Sequence, residues 1–329
     1  MQEEILSHRV LIFIAGQVYW KCKYSYIDER LNWRNRDGIF NQGNSVGSLY
    51  NAVLNYEPAV FIEFSTMLNY YMSRQLSFES DVLRAAQGML RKFSALSGLH
   101  CFEGLPSPLD QSMLFTTSEM PKSRAFGRRY GFPSYSWVGW KSNPYYADSV
   151  AHKPLQRWVI WFCKFKDGQT YRFSEIGRLR KAPHPESENA IKNDVKELTE
   201  IPTTVSDSDL YTIRAKSYPL LIFWTVVINL RLKPKPYIPG YPTSHVNYEP
   251  IDRYGRNLDG EVQMDMASSA DEMQVGKFAI LASSNTKFWA LLLKWEDGVA
   301  ERRGVVTLSK DVLEKCLDPG PRWRAIVLE

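Results

Sequence analysis

Five histidines and four cysteines are the chain's candidate metal ligands and nucleophiles. His8, His100, His152, His184 and His245 never fall three or four residues apart, and no carboxylate pair accompanies them at ligand spacing. A metal site would have to be assembled wholly by long-range contacts, so no metal and no other cofactor is expected. Cys22, Cys101, Cys163 and Cys316 form no CxxC, which points away from a zinc knuckle or a disulfide framework and toward a reducing compartment. His100-Cys101 suggests a base beside a thiol, but neighbours in sequence point apart. A packing cysteine beyond a helix end is the better reading. No GxSxG, Walker loop or GxGxxG occurs, and Gly38, Gly43 and Gly47 lack the Lys-Ser/Thr pair of a phosphate cradle. No catalytic residue is nominated, and an enzyme is not expected.

A second group is basic and aromatic. Lys122, Arg124, Arg128 and Arg129 interleave with Phe126, Tyr130, Phe132, Tyr135, Trp137 and Trp140. Such a set can stack bases or sugars, but Tyr135, Trp137 and then Gly139-Trp140 alternate as the buried face of a strand would. The arginines are expected on a solvated face, as are Arg178, Arg180 and Lys181 beside the acidic stretch 186–200. A net charge of +5 over 329 residues is too mild to predict a nucleic-acid partner. The longest apolar run, Leu220 to Ile228, is far shorter than the roughly 20 residues of a spanning helix. Met1-Gln2-Glu3-Glu4 is acidic where a signal peptide is basic, so a cytoplasmic protein is expected.

The elements that must position these residues follow from periodicity. With 44% hydrophobic and 13% aromatic residues the chain can build a core, which excludes wholesale disorder. Residues 9–22 hold two β-branched and aromatic runs separated by Ala15-Gly16-Gln17, a hairpin signal. Residues 23–57 are polar with little period. Val60, Phe64, Met67, Leu68 and Tyr71 mark one helical face behind Pro58. A second helix runs from an N-cap at Ser77 through Val82, Ala86, Met89, Leu90 and Phe93 to a stop at Gly98. Later runs read as strands: 158–165 and 169–173 across Asp167-Gly168, then 220–230, 261–264, 277–282, 288–295, 304–308 and 323–328. A short helix is expected near Lys310 to Cys316. Residues 182–208, rich in Pro, Ser, Glu and Asp, read as a mobile acidic loop.

Several of these stretches resemble fungal heterokaryon-incompatibility (HET) domain proteins. Gln2-Glu3-Glu4-Ile5-Leu6-Ser7-His8-Arg9, followed by an apolar strand, resembles the last conserved block of that domain. Ser73-Arg74-Gln75-Leu76-Ser77 with Ser80-Asp81 and Leu83 is similar to a stretch found downstream of it. Phe102-Glu103-Gly104-Leu105-Pro106 and Pro133-Ser134-Tyr135-Ser136-Trp137-Val138-Gly139-Trp140 match the family's GLP and PSWSWAGW segments, and Gly298 to Gly304 has the family's look. The resemblance makes Gln2, Glu3, Leu6, Arg9, Pro133, Ser136, Trp137 and Trp140 the motif residues, without assigning them roles. It implies allorecognition and programmed cell death through an unidentified protein partner. It also implies a Toll/interleukin-receptor-like domain of which residues 1–22 are the tail, so the chain is expected to be a fragment or a diverged member.

The expected fold is α+β: the tail of a HET-like domain over 1–22, a helical region over 23–131, and a β-rich region over 132–329 built as a sandwich or distorted barrel. Two other functions stay open. One is an NAD-cleaving effector using Glu3 or Glu4 to polarise a ribose. The other is a β-module that binds a ligand such as a glycan on its tryptophans.

Overall fold

The computed structural model describes residues 60–72, 74, 76–118, 127–146, 155–157, 159, 161–167, 170–173, 217–234, 248–265 and 275–329, and the backbone of 9–14, 17–22, 26–28 and 179–181. The first hairpin forms as its pattern demands. β1 (Arg9–Ile14) pairs antiparallel with β2 (Gln17–Cys22) in a register that sets Arg9 opposite Cys22. A third strand, β3 (Tyr26–Asp28), which the polar sequence did not announce, pairs with β2. Gln2, Glu3 and Leu6 lie outside the described residues, as does the acidic loop 182–208.

Two helices follow. α1 (Val60–Met72) buries Phe61, Phe64, Leu68 and Tyr71 along the expected face. The second helix departs from expectation at its start. Ser77 is exposed and caps nothing; a single 3₁₀ turn, Glu79–Asp81, leads into α2 (Val82–Ser97). Its end is as read: Gly98 adopts φ +72°, and its N–H donates to the Ser94 carbonyl at 2.9 Å. The hairpin of β4 (Cys101–Phe102) and β5 (Leu105–Pro106) comes next, then the one-turn helix α3 (Leu109–Ser112) and the pair β6 (Thr116–Ser118) and β7 (Asn143–Tyr145).

The rest of the chain is one large sheet. Its strands are β8 (Gln156–Arg157), β9 (Phe162–Lys164), β10 (Thr170–Phe173), β11 (Leu179–Lys181), β12 (Leu220–Pro234), β13 (Tyr248–Ile251), β14 (Gly260–Met264), β15 (Val275–Ser283), β16 (Lys287–Glu296), β17 (Val299–Ser309) and β18 (Arg322–Leu328), with the short helix α4 (Val312–Lys315) before the last. Hydrogen bonding follows the path β12-β13-β14-β17-β16-β15, and β15 pairs back onto β12 through Val227↔Ala279 to Arg231↔Val275. That closure makes a barrel, the second of the two architectures expected. A 15-residue β12 is what permits it. Its first half pairs with β9 and β18, and its second half with β15 and β13.

Barrel closure explains why β15 and β16 read as nearly continuous apolar runs. One face, with Ile228, Phe278, Ala290 and Val306, fills the interior. The other, with Val227, Leu281, Leu291 and Ile326, packs in a single buried cluster with α1, α2 and the segment around Trp137. A strand covered on both sides has no polar face to alternate with. The α+β class, with a β-rich C-terminal region, is therefore the observed one. No helix among the described residues is long and apolar enough to cross a membrane.

Candidate functional site

The strongest sequence motif does not form a strand. Pro133 to Trp140 is a turn closed by a 3₁₀ helix over Trp137–Gly139, with all eight residues buried. Ser136 caps it: its Oγ accepts from the Val138 N–H and donates to the Glu103 carbonyl at 2.5 Å. The two indoles are spent inside the fold. Trp137 Nε1 donates to the Gly104 carbonyl at 2.7 Å, and Trp140 Nε1 to the Ser134 carbonyl at 2.8 Å. Tyr135 donates to the Pro219 carbonyl at 2.8 Å, tying the segment to the start of β12. Gly139 is obligatory, because a Cβ there would fall on the Pro133 carbonyl.

The GLP stretch forms its partner surface. Glu103 and Gly104, at φ +46° and +86°, are the two central residues of the tight turn between β4 and β5. Glycine at 104 gives the conformation and also the room, since a Cβ would stand 2.9 Å from Trp137 Nε1. Glu103 has neither advantage. It holds a left-handed conformation that favours glycine or asparagine, and desolvation raises its carboxyl pKa above the ordinary value. The same burial, with Glu103 nearby, pushes the Cys163 thiol well up.

A third motif stretch, Gly298 to Gly304, supplies the residue that sequence reasoning passed over. Arg302 on β17 is fully buried. Its Nε and Nη2 bind Asp265 Oδ2 and Oδ1 at 2.8 and 3.0 Å, Nη1 donates to the Met113 carbonyl at 2.8 Å, and Nη2 donates also to the Phe115 carbonyl. The guanidinium lies 3.6 Å from the centroid of the Phe115 ring. Its backbone N–H donates to Ser134 Oγ, and the Ser134 hydroxyl and N–H both donate to the Glu329 carbonyl at the end of β18. Burial lowers the Arg302 pKa, and the Asp265 charge opposes that. Alternation sets Arg302 on the same side as Ala300, and a register shift at Leu292/Leu293, which leaves Arg303 as the extra residue of a bulge, brings Val305 to that side as well.

Arg128 and Arg129, expected in solvent, are instead part of this arrangement. Arg128 donates to Glu301 Oε1 at 2.9 Å and to the carbonyls of Arg129 and Gly139, with its guanidinium over the Trp140 ring. Arg129 pairs with Glu79 at 3.1 Å and caps the Val138 and Trp140 carbonyls. Lys122 and Arg124 lie outside the described residues. Buried arginines need carbonyls and carboxylates to meet their donors, and the motif's backbone oxygens provide carbonyls.

Pro133, Ser136, Trp137 and Trp140 therefore meet in one buried lock, whereas Arg9 sits on the separate sheet of β1, β2 and β3. Of the remaining candidates, Cys101 accepts from Ser94 Oγ at 3.5 Å, and burial raises its pKa to about 11, so it is a packing thiol. Among the described residues no group of three His, Cys, Asp or Glu stands together to hold a metal ion. No tryptophan whose side chain is described is exposed. Comparison with protein-family models, curated proteins and solved structures found no match.

Three outcomes test the lock. Trp137→Ala is expected to cost about 3 to 5 kcal/mol, read as lower soluble yield and melting temperature; unchanged stability would place Trp137 outside the core. In a denaturation cycle, Arg302→Met and Asp265→Leu are each expected to cost about 3 to 5 kcal/mol, and the double variant less than their sum, because each single change strands a buried charge. Glu103→Gln tests the desolvated carboxyl. A pKa raised on folding means that ionisation costs stability, so the variant is expected to melt higher than the native chain at pH 7.5. That gain should shrink toward zero as pH falls to the ordinary carboxyl value of 4.5 and below.

Proposed function

We propose that the chain is a non-enzymatic recognition protein of the heterokaryon-incompatibility type, acting in the cytoplasm through contacts with a protein partner. The observation that supports this is the convergence of its motif stretches. Gly104, Trp137 and Arg302 are far apart in sequence, yet each belongs to a family-like segment: Trp137 bonds Gly104, and Arg302 bonds Ser134 in the same stretch as Trp137. Buried, mutually bonded positions of this kind are what a retained scaffold keeps when the surfaces that choose partners diverge. Nothing in the lock presents a nucleophile, a base and an open position for a reacting atom together, which is what catalysis would require.

The runner-up is an NAD-cleaving effector, and one experiment separates the two. Inducible expression in a fungal host is expected to arrest growth, while the purified chain incubated with NAD releases no nicotinamide. Nicotinamide release that disappears in Glu3→Gln would overturn the non-enzymatic reading.

A further inference from the structure

The turn between β13 and β14 shows five consecutive exposed residues, Arg253 to Asn257, on a backbone fixed from beneath. Asp252, itself buried, spends its carboxylate on that turn. Oδ1 accepts from the Tyr254 and Arg256 N–H groups, both at 2.8 Å, and Oδ2 accepts from Arg256 Nε at 2.9 Å. Desolvation works to raise the Asp252 pKa, and these hydrogen bonds and the Arg256 charge outweigh it, leaving the carboxyl below its ordinary value. The Asp252 and Arg256 backbones pair at 2.9 Å, Gly255 takes φ +81°, and the Arg253 N–H donates to the Lys315 carbonyl at 3.1 Å, anchoring the turn on α4. Asn257 Nδ2 donates to Glu249 Oε2 at 2.9 Å.

What this frame displays is an arginine, a tyrosine and a second arginine. The guanidiniums of Arg253 and Arg256 lie 5.1 and 5.0 Å from the centroid of the Tyr254 ring, which bounds their separation at about 10 Å. Tyr254 is 67% exposed and the Arg256 side chain 66%. Only Nε of Arg256 is engaged, and the Arg253 guanidinium makes no ion pair among the described residues. Two guanidiniums thus share one ring at an exposed tip, no more than about 10 Å apart.

We infer that this turn is a docking point for a phosphorylated segment of a protein partner, with one phosphate monoester taken between Arg253 and Arg256. A carboxylate is satisfied by one fork, whereas a dianionic phosphate with three oxygens accepts from two. The rigid turn lowers the ordering cost of presenting them. Free phosphate is the weaker occupant, because so open a tip leaves it hydrated. A nucleic-acid strand needs a continuous basic track, and Glu249, Asp259, Asp311 and Glu314 on the adjoining elements interrupt one. The inference rests on the proposed function and names the chemistry of its partner.

The test is titration calorimetry of the full chain with a capped Gly-Gly-phosphoserine-Gly-Gly peptide, its unphosphorylated and glutamate counterparts, inorganic phosphate and a short oligouridylate. The phosphopeptide is expected to bind best, and Arg253→Gln to weaken it about tenfold, equivalent to about 1.4 kcal/mol. Melting temperature should change little, since that side chain's contact within the turn is a stack on an exposed ring. Arg256→Lys keeps the charge, loses the fork and is expected to weaken binding as well. Absence of binding, an inorganic phosphate affinity equal to the peptide's, or a preference for oligouridylate would each overturn the docking point. Such a failure leaves the functional reading standing, and NAD cleavage would overturn that reading whether or not the peptide binds.

Discussion

Burying a guanidinium costs several kcal/mol unless its charge and its N–H donors are met, and Arg302 is buried entirely. Meeting them dictates where distant pieces of chain must lie. Asp265, at the end of β14, has to come alongside β17, and the carbonyls of Met113 and Phe115, beyond α3, have to close over it. The barrel wall and the helical layer outside it are joined at this point by charge and not only by apolar contact. Ser134 extends the junction, linking the Arg302 backbone to the Glu329 main-chain oxygen. The aromatic segment is then fixed at its start, and its indoles find acceptors without a sheet ladder.

That last point explains the error in reading Pro133 to Trp140 as a strand. Period-two alternation is informative only when one face is wet, and here every position is buried, so the alternation of large and small residues reports packing against Gly104, Arg128 and α1 instead. Proline at 133 and glycine at 139 remain good signals of a bend. Trp137 meets the Tyr71 ring edge-on, with centroids 5.9 Å apart, so α1 is registered against the same turn.

Legibility elsewhere follows the same physics. β16 was read almost to its ends because its apolar run stops at charged residues, and the turn to β17 was marked by Asp297-Gly298, both at positive φ. β17 reads short, over 304–308, because Glu301, Arg302 and Arg303 look like solvent-facing charge; the strand runs Val299–Ser309, with Glu301 and Arg302 paired to the distant Arg128 and Asp265 and Arg303 paired to Glu301 within the strand. Asp265 carried no signal at all. Its value comes from a partner 37 residues away, and no local pattern encodes that distance. Ser77 misled for the opposite reason: a sound capping residue lost to a 3₁₀ turn two positions later.

The two polar systems of this fold differ in what they leave over. In the lock, serine hydroxyls, indoles and arginines are matched to carbonyls and carboxylates within the chain, so further ligands would have to displace bonds whose loss strands buried groups. At the β13–β14 turn the matched groups are backbone amides and one Nε, and the surplus points outward. A carboxylate that fixes a backbone and leaves guanidinium forks exposed gives stiffness to a surface without consuming its donors. Of the two systems the turn is therefore the one with donors to spare for a ligand, and the buried motif is not.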